Sequence, residues 1–400
     1  MPQDAFTEKT EALAAEVLAL SRNTLLVRLR FLGAALGRLA AEAKPLPSAL
    51  ETDGRALYYD PGALLRAYQA GRGVPARDLL HCVLHCVLRH FSVPEGAARD
   101  VWDLACDVAA EHMIAELSLP ALSAPREARQ RKTYELLQTA GVPLTAEKLY
   151  RYFLSQRLSP EEARALRAAF RADGHRLWHE RDAAKAAETE AVWREVSRRM
   201  QVELETFARR RGGAALMLGL REANREVSDY AGFLRKFAAR GEPMRLDADE
   251  FDYGLYSYGL QLYGGSVPLI EPVEYRETRR VRDFAVVTAF SEAFPAETAR
   301  RLLETTRAQL TASGTASSRV ALRVLPGEAD ARLAFRDVDG LRRRGELKNL
   351  KGLLFLTDGI EAFPANMPAY PAAFVFVNDD YSVPEVPPWA IRTVLQRDEI

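Results

Sequence analysis

Two histidines stand four residues apart, His81 and His85, in the run Asp78-Leu79-Leu80-His81-Cys82-Val83-Leu84-His85-Cys86-Val87-Leu88-Arg89-His90. The run is apolar, free of Pro and Gly, and periodic, so it predicts a helix over 75–91. On a helix that spacing sets both imidazoles on one face, where they can close on one metal ion. A zinc site needs a third protein ligand. Asp107 offers one, four residues before Glu111 in the next apolar stretch, which predicts a helix over 100–117. Two antiparallel helices bring Asp107 toward His81 and His85. The alternative needs no metal: histidines on an apolar helix can hydrogen-bond buried carboxylates.

The same spacing occurs in the H-E-x-x-H helix of zinc peptidases, where the glutamate is the general base for the attacking water. Here Cys82 holds the glutamate position. A thiol has an ordinary pKa of about 8.5 and a shorter reach, so it cannot simply take over the role of a carboxylate. Glu111 is the remaining candidate base. Cys82 and Cys86 form a second pair at helical spacing, read either as soft metal ligands or as small apolar groups in a core. In Asp173-Gly174-His175-Arg176-Leu177-Trp178-His179, either His175 or His179 could supply a distant ligand, the alternative being ordinary packing and surface histidines.

The elements that must hold these residues follow from pattern. Residues 8–42 carry apolar positions at helical spacing up to Pro45 and Pro47, and Asp53-Gly54 is a turn signal before a short strand at Ala56–Tyr59. The stretch from 126 to 240 is helical and rich in Ala, Arg and Glu, with a long charged helix over 181–211 that Gly212-Gly213 stops. After about residue 245 the texture changes. Phe284–Phe290, Val320–Val324, Ala331–Phe335, Leu353–Leu356 and Phe374–Val377 are short apolar or alternating runs, and 296–311 is helical. Strands alternating with helices imply a parallel sheet covered on both faces. The expected fold class is therefore α + α/β: a mostly helical domain over 1–250, then a Rossmann-type domain over 251–400.

Composition narrows the function classes. The 55 basic and 55 acidic residues cancel, so no global charge draws nucleic acid or an anionic membrane, and neither is expected as a partner. No stretch reaches the about 18–20 uninterrupted apolar residues of a membrane span. Three cysteines and no signal-peptide pattern point to a reducing, cytoplasmic setting.

Several motifs in order carry a family resemblance. In the first half they are Thr52-Asp53-Gly54-Arg55 with Tyr58-Tyr59, the histidine helix through His90, Trp102 through Glu111, and Tyr230 through Phe237. In the second half they are Glu250 through Leu260, Pro268-Leu269-Ile270-Glu271-Pro272, Lys351 through Gly359, Phe363-Pro364, and Val386 through Ile391. The set resembles a bacterial family of von Willebrand factor A-like (VWA-like) proteins with an N-terminal zincin-like metallopeptidase domain. The resemblance implies zinc at His81, His85 and Asp107, a VWA-like second domain, and partnership with a MoxR-type AAA+ ATPase. A VWA domain holds Mg²⁺ through a D-x-S-x-S loop and a later Asp. On that pattern this chain has Ala289, Ser291 and Ala293, and keeps Asp358, so a magnesium site reduces to Ser291 and Asp358.

The losses at Cys82, Ala289 and Ala293 favour an interaction or adaptor protein. The alternative is a zinc-dependent hydrolase using His81, His85 and Asp107. Redox sensing by Cys82, Cys86 and Cys106 is a third reading that needs an accessible thiol.

Overall fold

The computed structural model describes residues 2–94, 96–179, 183–211, 213–225, 229–239, 244–276, 281–312, 317–324, 329–381 and 384–400. The chain forms two compact units, Met1–Arg225 and Glu226–Ile400.

The first unit begins with α1 (Pro2–Arg28) and α2 (Gly33–Arg38). A mixed three-stranded sheet follows: β1 (Ala40–Ala43), β2 (Leu50–Thr52) and β3 (Ala56–Tyr59), with β3 central, parallel to β1 and antiparallel to β2. The helical reading of 8–42 therefore ends at Arg38, where the last residues enter the sheet. Then come α3 (Pro61–Ala70), α4 (Val74–Val87), α5 (Arg99–Glu116), α6 (Glu127–Thr139), α7 (Ala146–Gln156), α8 (Pro160–Phe170), α9 (Arg176–His179), α10 (Ala183–Arg211) and α11 (Ala214–Asn224).

Every residue of α4 is buried. A helix apolar on nearly all sides belongs inside a domain, and here its few polar residues face one another rather than water. Leu79, Leu80, Val83, Leu84 and Val87 enter the core with Leu104, Val108 and Met113 of α5. Removing a Leu or Ile from such a site costs about 2–5 kcal/mol. The end of α4 matters for function. Arg89 turns left-handed (φ 55°). His90 N–H then donates to the His85 carbonyl (3.0 Å) and Arg89 N–H to that of Cys86 (3.1 Å). This is a Schellman stop without its usual glycine. The Arg89 side chain anchors it by donating to Asn224 Oδ1 (3.2 Å) and to the Ala223 carbonyl.

The second unit contains α12 (Tyr230–Ala239), β4 (Met244–Phe251), α13 (Tyr253–Leu262), β5 (Pro272–Arg276), β6 (Val281–Ala289), α14 (Ala296–Ala312), β7 (Ser317–Val324), β8 (Ala329–Asp330), α15 (Ala331–Arg343), β9 (Leu350–Thr357), β10 (Ile360–Ala362), β11 (Ala372–Val377) and β12 (Ile391–Leu395). Five of these strands form an all-parallel sheet in the order β12-β11-β9-β6-β7. The apolar runs divide by period two. Phe284, Val286, Leu354 and Leu356 face α12 and α14, while Ala285, Val287, Leu353 and Phe355 face α15. Both faces are covered, as a parallel sheet requires. A mostly helical region followed by an α/β sheet is the fold class the sequence implied.

Two expectations change. The run Ala331–Phe335 is the start of helix α15, not a strand. Asp330 caps it by accepting from Arg332 N–H (2.9 Å), and Ala331, Ala334, Phe335, Val338 and Leu341 bury one helical face. The unit boundary also falls before α12 rather than at 250/251. Leu234, Phe237 and Ala238 of α12 pack with the sheet residues Phe284 and Leu354. At Gly352 a Cβ would come within 2.4 Å of the Phe237 ring, so only glycine lets that ring lie on β9. Among the described residues no helix is long and apolar enough to cross a membrane.

Candidate metal centre

Five side chains from three segments converge inside the first unit. His81 and His85 come from α4, Asp107 from α5, and Asp173 and His175 from the link between α8 and α9. One ligand-capable atom of each lies within 4.8 Å of the others. Asp107 Oδ1 is 3.2 Å from His81 Nε2, 3.4 Å from His85 Nε2 and 3.2 Å from His175 Nε2. Asp173 Oδ1 is 3.6, 3.9 and 2.9 Å from the same three nitrogens. The most exposed of the five, His175, shows 7% of its surface.

Three of these atoms, His85 Nε2, His175 Nε2 and Asp173 Oδ1, are buried and fall outside hydrogen-bond geometry, although the last two lie 2.9 Å apart as an ion pair. Buried polar atoms are almost always paired, and leaving one unpaired costs about 1–3 kcal/mol. The five donors lie close enough to one another to share a single metal ion. The residues present therefore fit a divalent ion.

The second nitrogen of each histidine is also provided for. His81 Nδ1 is 3.1 Å from Glu111 Oε1, His85 Nδ1 is 2.8 Å from His90 Nδ1, and His175 Nδ1 is 3.6 Å from Asp103 Oδ2. Such outer partners fix the tautomer and ring orientation of a metal-binding imidazole. The Schellman turn after α4 delivers His90 to His85, and Trp102 Nε1 donates to the His90 carbonyl (2.8 Å).

Glu111 is itself clamped. Its carboxylate accepts from Arg77 Nε (2.9 Å), Arg126 Nε (3.2 Å), Arg126 Nη2 (2.9 Å) and Gln130 Nε2 (2.9 Å). It meets the ring nitrogen of His81 remote from Asp107, and no lone pair is left over for a water. Glu111 thus orients His81, and the place suggested for it as a base is not where it lies.

The third segment is held by backbone. Gly174 pairs with Glu51 in a parallel bridge, its N–H donating to the Leu50 carbonyl (3.4 Å). A Cβ on Gly174 would lie 2.1 Å from Glu51 Oε1. Glu51 is fully buried, so glycine is what lets Asp173 and His175 reach inward from either side. Trp178 stacks on His175 (3.7 Å between ring centres, 15° between planes) and presents its edge to His85 at 4.8 Å. The side chain of His179 lies outside the described residues.

Electrostatics are those of a coupled cluster. Burial pulls His81 down, but the hydrogen bonds to Asp107 and Glu111 outweigh it and raise its pKa to about 9. Burial and then the charge on His81 lower His85 to about 4. Burial opposes charge on Asp107, yet His175 and His81 hold it well below the usual carboxylate range. Burial and then Asp173 push the Cys82 thiol well up; its Sγ donates to Asp173 Oδ2 (3.4 Å). All three cysteines are buried and unlinked, and burial likewise raises Cys106. That removes the accessible low-pKa thiol a redox sensor requires.

The second unit places Ser291 and Asp358 just beyond the carboxyl ends of β6 and β9, neighbouring strands where the sheet order reverses. That is the usual binding crevice of an open α/β sheet. Ser291 N–H donates to Asp358 Oδ1 (2.9 Å) and Ser291 Oγ to Oδ2 (2.5 Å). Ala289 is buried and brings no oxygen. Both carboxylate oxygens are thus engaged by one serine. Among the described residues, the metal-capable group of three or more His, Cys, Asp or Glu is the cluster of the first unit.

A family model described as "Putative metallopeptidase domain" matches residues 16–242, a span that holds all five converging side chains and their outer partners. The chain belongs to this family. No curated protein and no solved structure matches it. Sequence reasoning named His81, His85 and Asp107 and passed over Asp173. The available signal was Asp173-Gly174-His175 beside Trp178, two donors flanking a glycine.

Proposed function

We propose that this metallopeptidase-domain protein holds a divalent ion, zinc being the first candidate, as part of its fold, and that the chain works as an interaction or adaptor module rather than as a peptidase. The observation that carries this reading is Cys82. Its protonated thiol occupies the base position and hydrogen-bonds Asp173 within a fully buried shell. His81, His85 and Asp107 would hold the ion. Glu111, clamped by Arg77 and Arg126, and His90 would orient two of the imidazoles. A bound ion supplies Lewis acidity there, but the burial of all five donors works against the entry of an extended peptide.

The partner reading rests on resemblance and on exposure. Tyr253, Tyr258, Leu262 and Ile270 show 73%, 57%, 56% and 68% of their surface. A run of large apolar side chains in water suits a protein docking surface, and a MoxR-type AAA+ ATPase is the partner proposed for it. A zinc-dependent hydrolase remains the second reading, favoured by the family itself.

One set of assays separates them. Chelation should lower the unfolding temperature of the protein, and wild type should give no chelator-sensitive turnover of unfolded peptide substrates. A purified MoxR-type ATPase should bind wild type and lose affinity for the Tyr258→Ser, Leu262→Ser double variant. Chelator-sensitive turnover abolished by His85→Ala would overturn the adaptor reading in favour of the hydrolase.

A further inference from the structure

A hydrolytic zinc site uses three protein ligands and keeps a position open, with bonds of about 2.0–2.2 Å. The cluster departs from that plan. Beyond the pair on α4 and Asp107, it brings two more donors, Asp173 Oδ1 and His175 Nε2, to the same focus. Were the ligands only the three named from helix spacing, Asp173 Oδ1 and His175 Nε2 would sit buried beside the ion, 2.9 Å apart yet outside hydrogen-bond geometry. The fold instead invests in their placement. Gly174 is locked against β2, Trp178 lies flat on the His175 ring, and Cys82 Sγ takes up the outer oxygen of Asp173, leaving Oδ1 turned toward the histidines.

Resting on the metal reading above, we propose that Asp173 and His175 are direct ligands, so that three imidazoles and two carboxylates form a five-donor site for a five- or six-coordinate first-row divalent ion. Nitrogen and oxygen donors without thiolate suit zinc, cobalt, iron and manganese alike. Coordination number, not metal identity, is what the donor set dictates. With five positions filled by protein, at most one remains for any other ligand. The ion then ties three distant segments together: α4, α5 and the link before α9.

The test uses the full chain, stripped of metal and reloaded with Co²⁺. Wild type should show the weak visible absorption of five- or six-coordinate cobalt, and X-ray absorption should find five or six nitrogen or oxygen neighbours. Asp173→Ala and His175→Ala, checked for folding by circular dichroism, should each lose Co²⁺ affinity beyond the about 10–100-fold brought by outer-partner changes. An intense tetrahedral cobalt spectrum with four neighbours would overturn the five-donor site while leaving a metal centre in place. So would a folded His175→Ala protein with wild-type Co²⁺ affinity. A wild type that takes up no Co²⁺ would sink both this inference and the metal reading beneath it. The wild-type spectrum alone decides the coordination number if a variant fails to fold.

Discussion

The sequence raises the expectation of a metal at two places in the chain, and the structure builds the two differently. In the first unit Cys82 lies between His81 and His85 on α4, and those histidines converge with Asp107, Asp173 and His175, three of the facing atoms falling outside hydrogen-bond geometry. In the second unit the loop after β6 carries Ala289 and Ala293, which bring no side-chain oxygen, and Asp358 accepts from Ser291 through both of its carboxylate oxygens. The difference lies in what each surviving carboxylate can reach. Asp358 sits at a loop beside a serine that satisfies both of its oxygens. Asp107 and Asp173 are sealed among histidines, each with one oxygen 2.9–3.9 Å from three ring nitrogens. A carboxylate at the rim can be satisfied by one neighbouring serine, whereas the buried cluster keeps five donors grouped closely enough to fit a metal ion.

The largest expected effect is at Glu111. Glu111→Ala leaves Arg77 and Arg126 without the carboxylate they share. It should destabilise the first unit by about 3–5 kcal/mol, the usual cost of removing one partner from a buried ion pair. Three of the four tryptophans, Trp102, Trp178 and Trp193, lie in that unit, so fluorescence-monitored urea unfolding reads it. The same residue sets a pH dependence. Glu111 is buried, but His81 and then Arg126 hold its pKa well below its ordinary 4.5. Its contribution is therefore present above about 4.5 and is lost as pH falls through the lower folded value. The Glu111→Gln protein should show a flatter acid limb than wild type.

Metal comes next in size. At an ion concentration a thousand times the dissociation constant, binding should stabilise the first unit by about 4 kcal/mol. That gain should vanish with chelator, and the second unit should not respond. His90→Ala removes the partner of His85 Nδ1 without touching the shell. It should weaken metal binding about 10–100-fold, measurable by competition with a chromophoric chelator. The smallest effect is at the other site. Ser291→Ala should cost about 1 kcal/mol, as one modest hydrogen-bonded contact would. It should leave metal binding unchanged.

Much of this was legible in the residues, for reasons that also explain the rest. His81, His85 and Asp107 sit on strongly periodic helices, where spacing alone fixes the face. The strands at Phe284–Phe290 and Leu353–Leu356 announced themselves as apolar runs bounded by turn residues. Ala331–Phe335 did not, because five residues are too few to tell period two from 3.6, and the deciding signal was the Asp330 cap. Asp173 lies 91 residues from the thiol it accepts from. No periodicity links a loop carboxylate to a helix so far upstream, and the bridge from Gly174 to Glu51 that carries it inward is a tertiary fact. Likewise Glu111 looked available as a base because sequence cannot show that Arg77, Arg126 and Gln130 surround it.

The most direct test is the metal content of the purified full-length chain after equilibration with Zn²⁺ and removal of the excess. The account predicts a single ion per chain, retained in Ser291→Ala and Asp358→Ala and lost in His81→Ala and His85→Ala. A wild type without bound metal, or one whose metal leaves with Asp358→Ala, would contradict it.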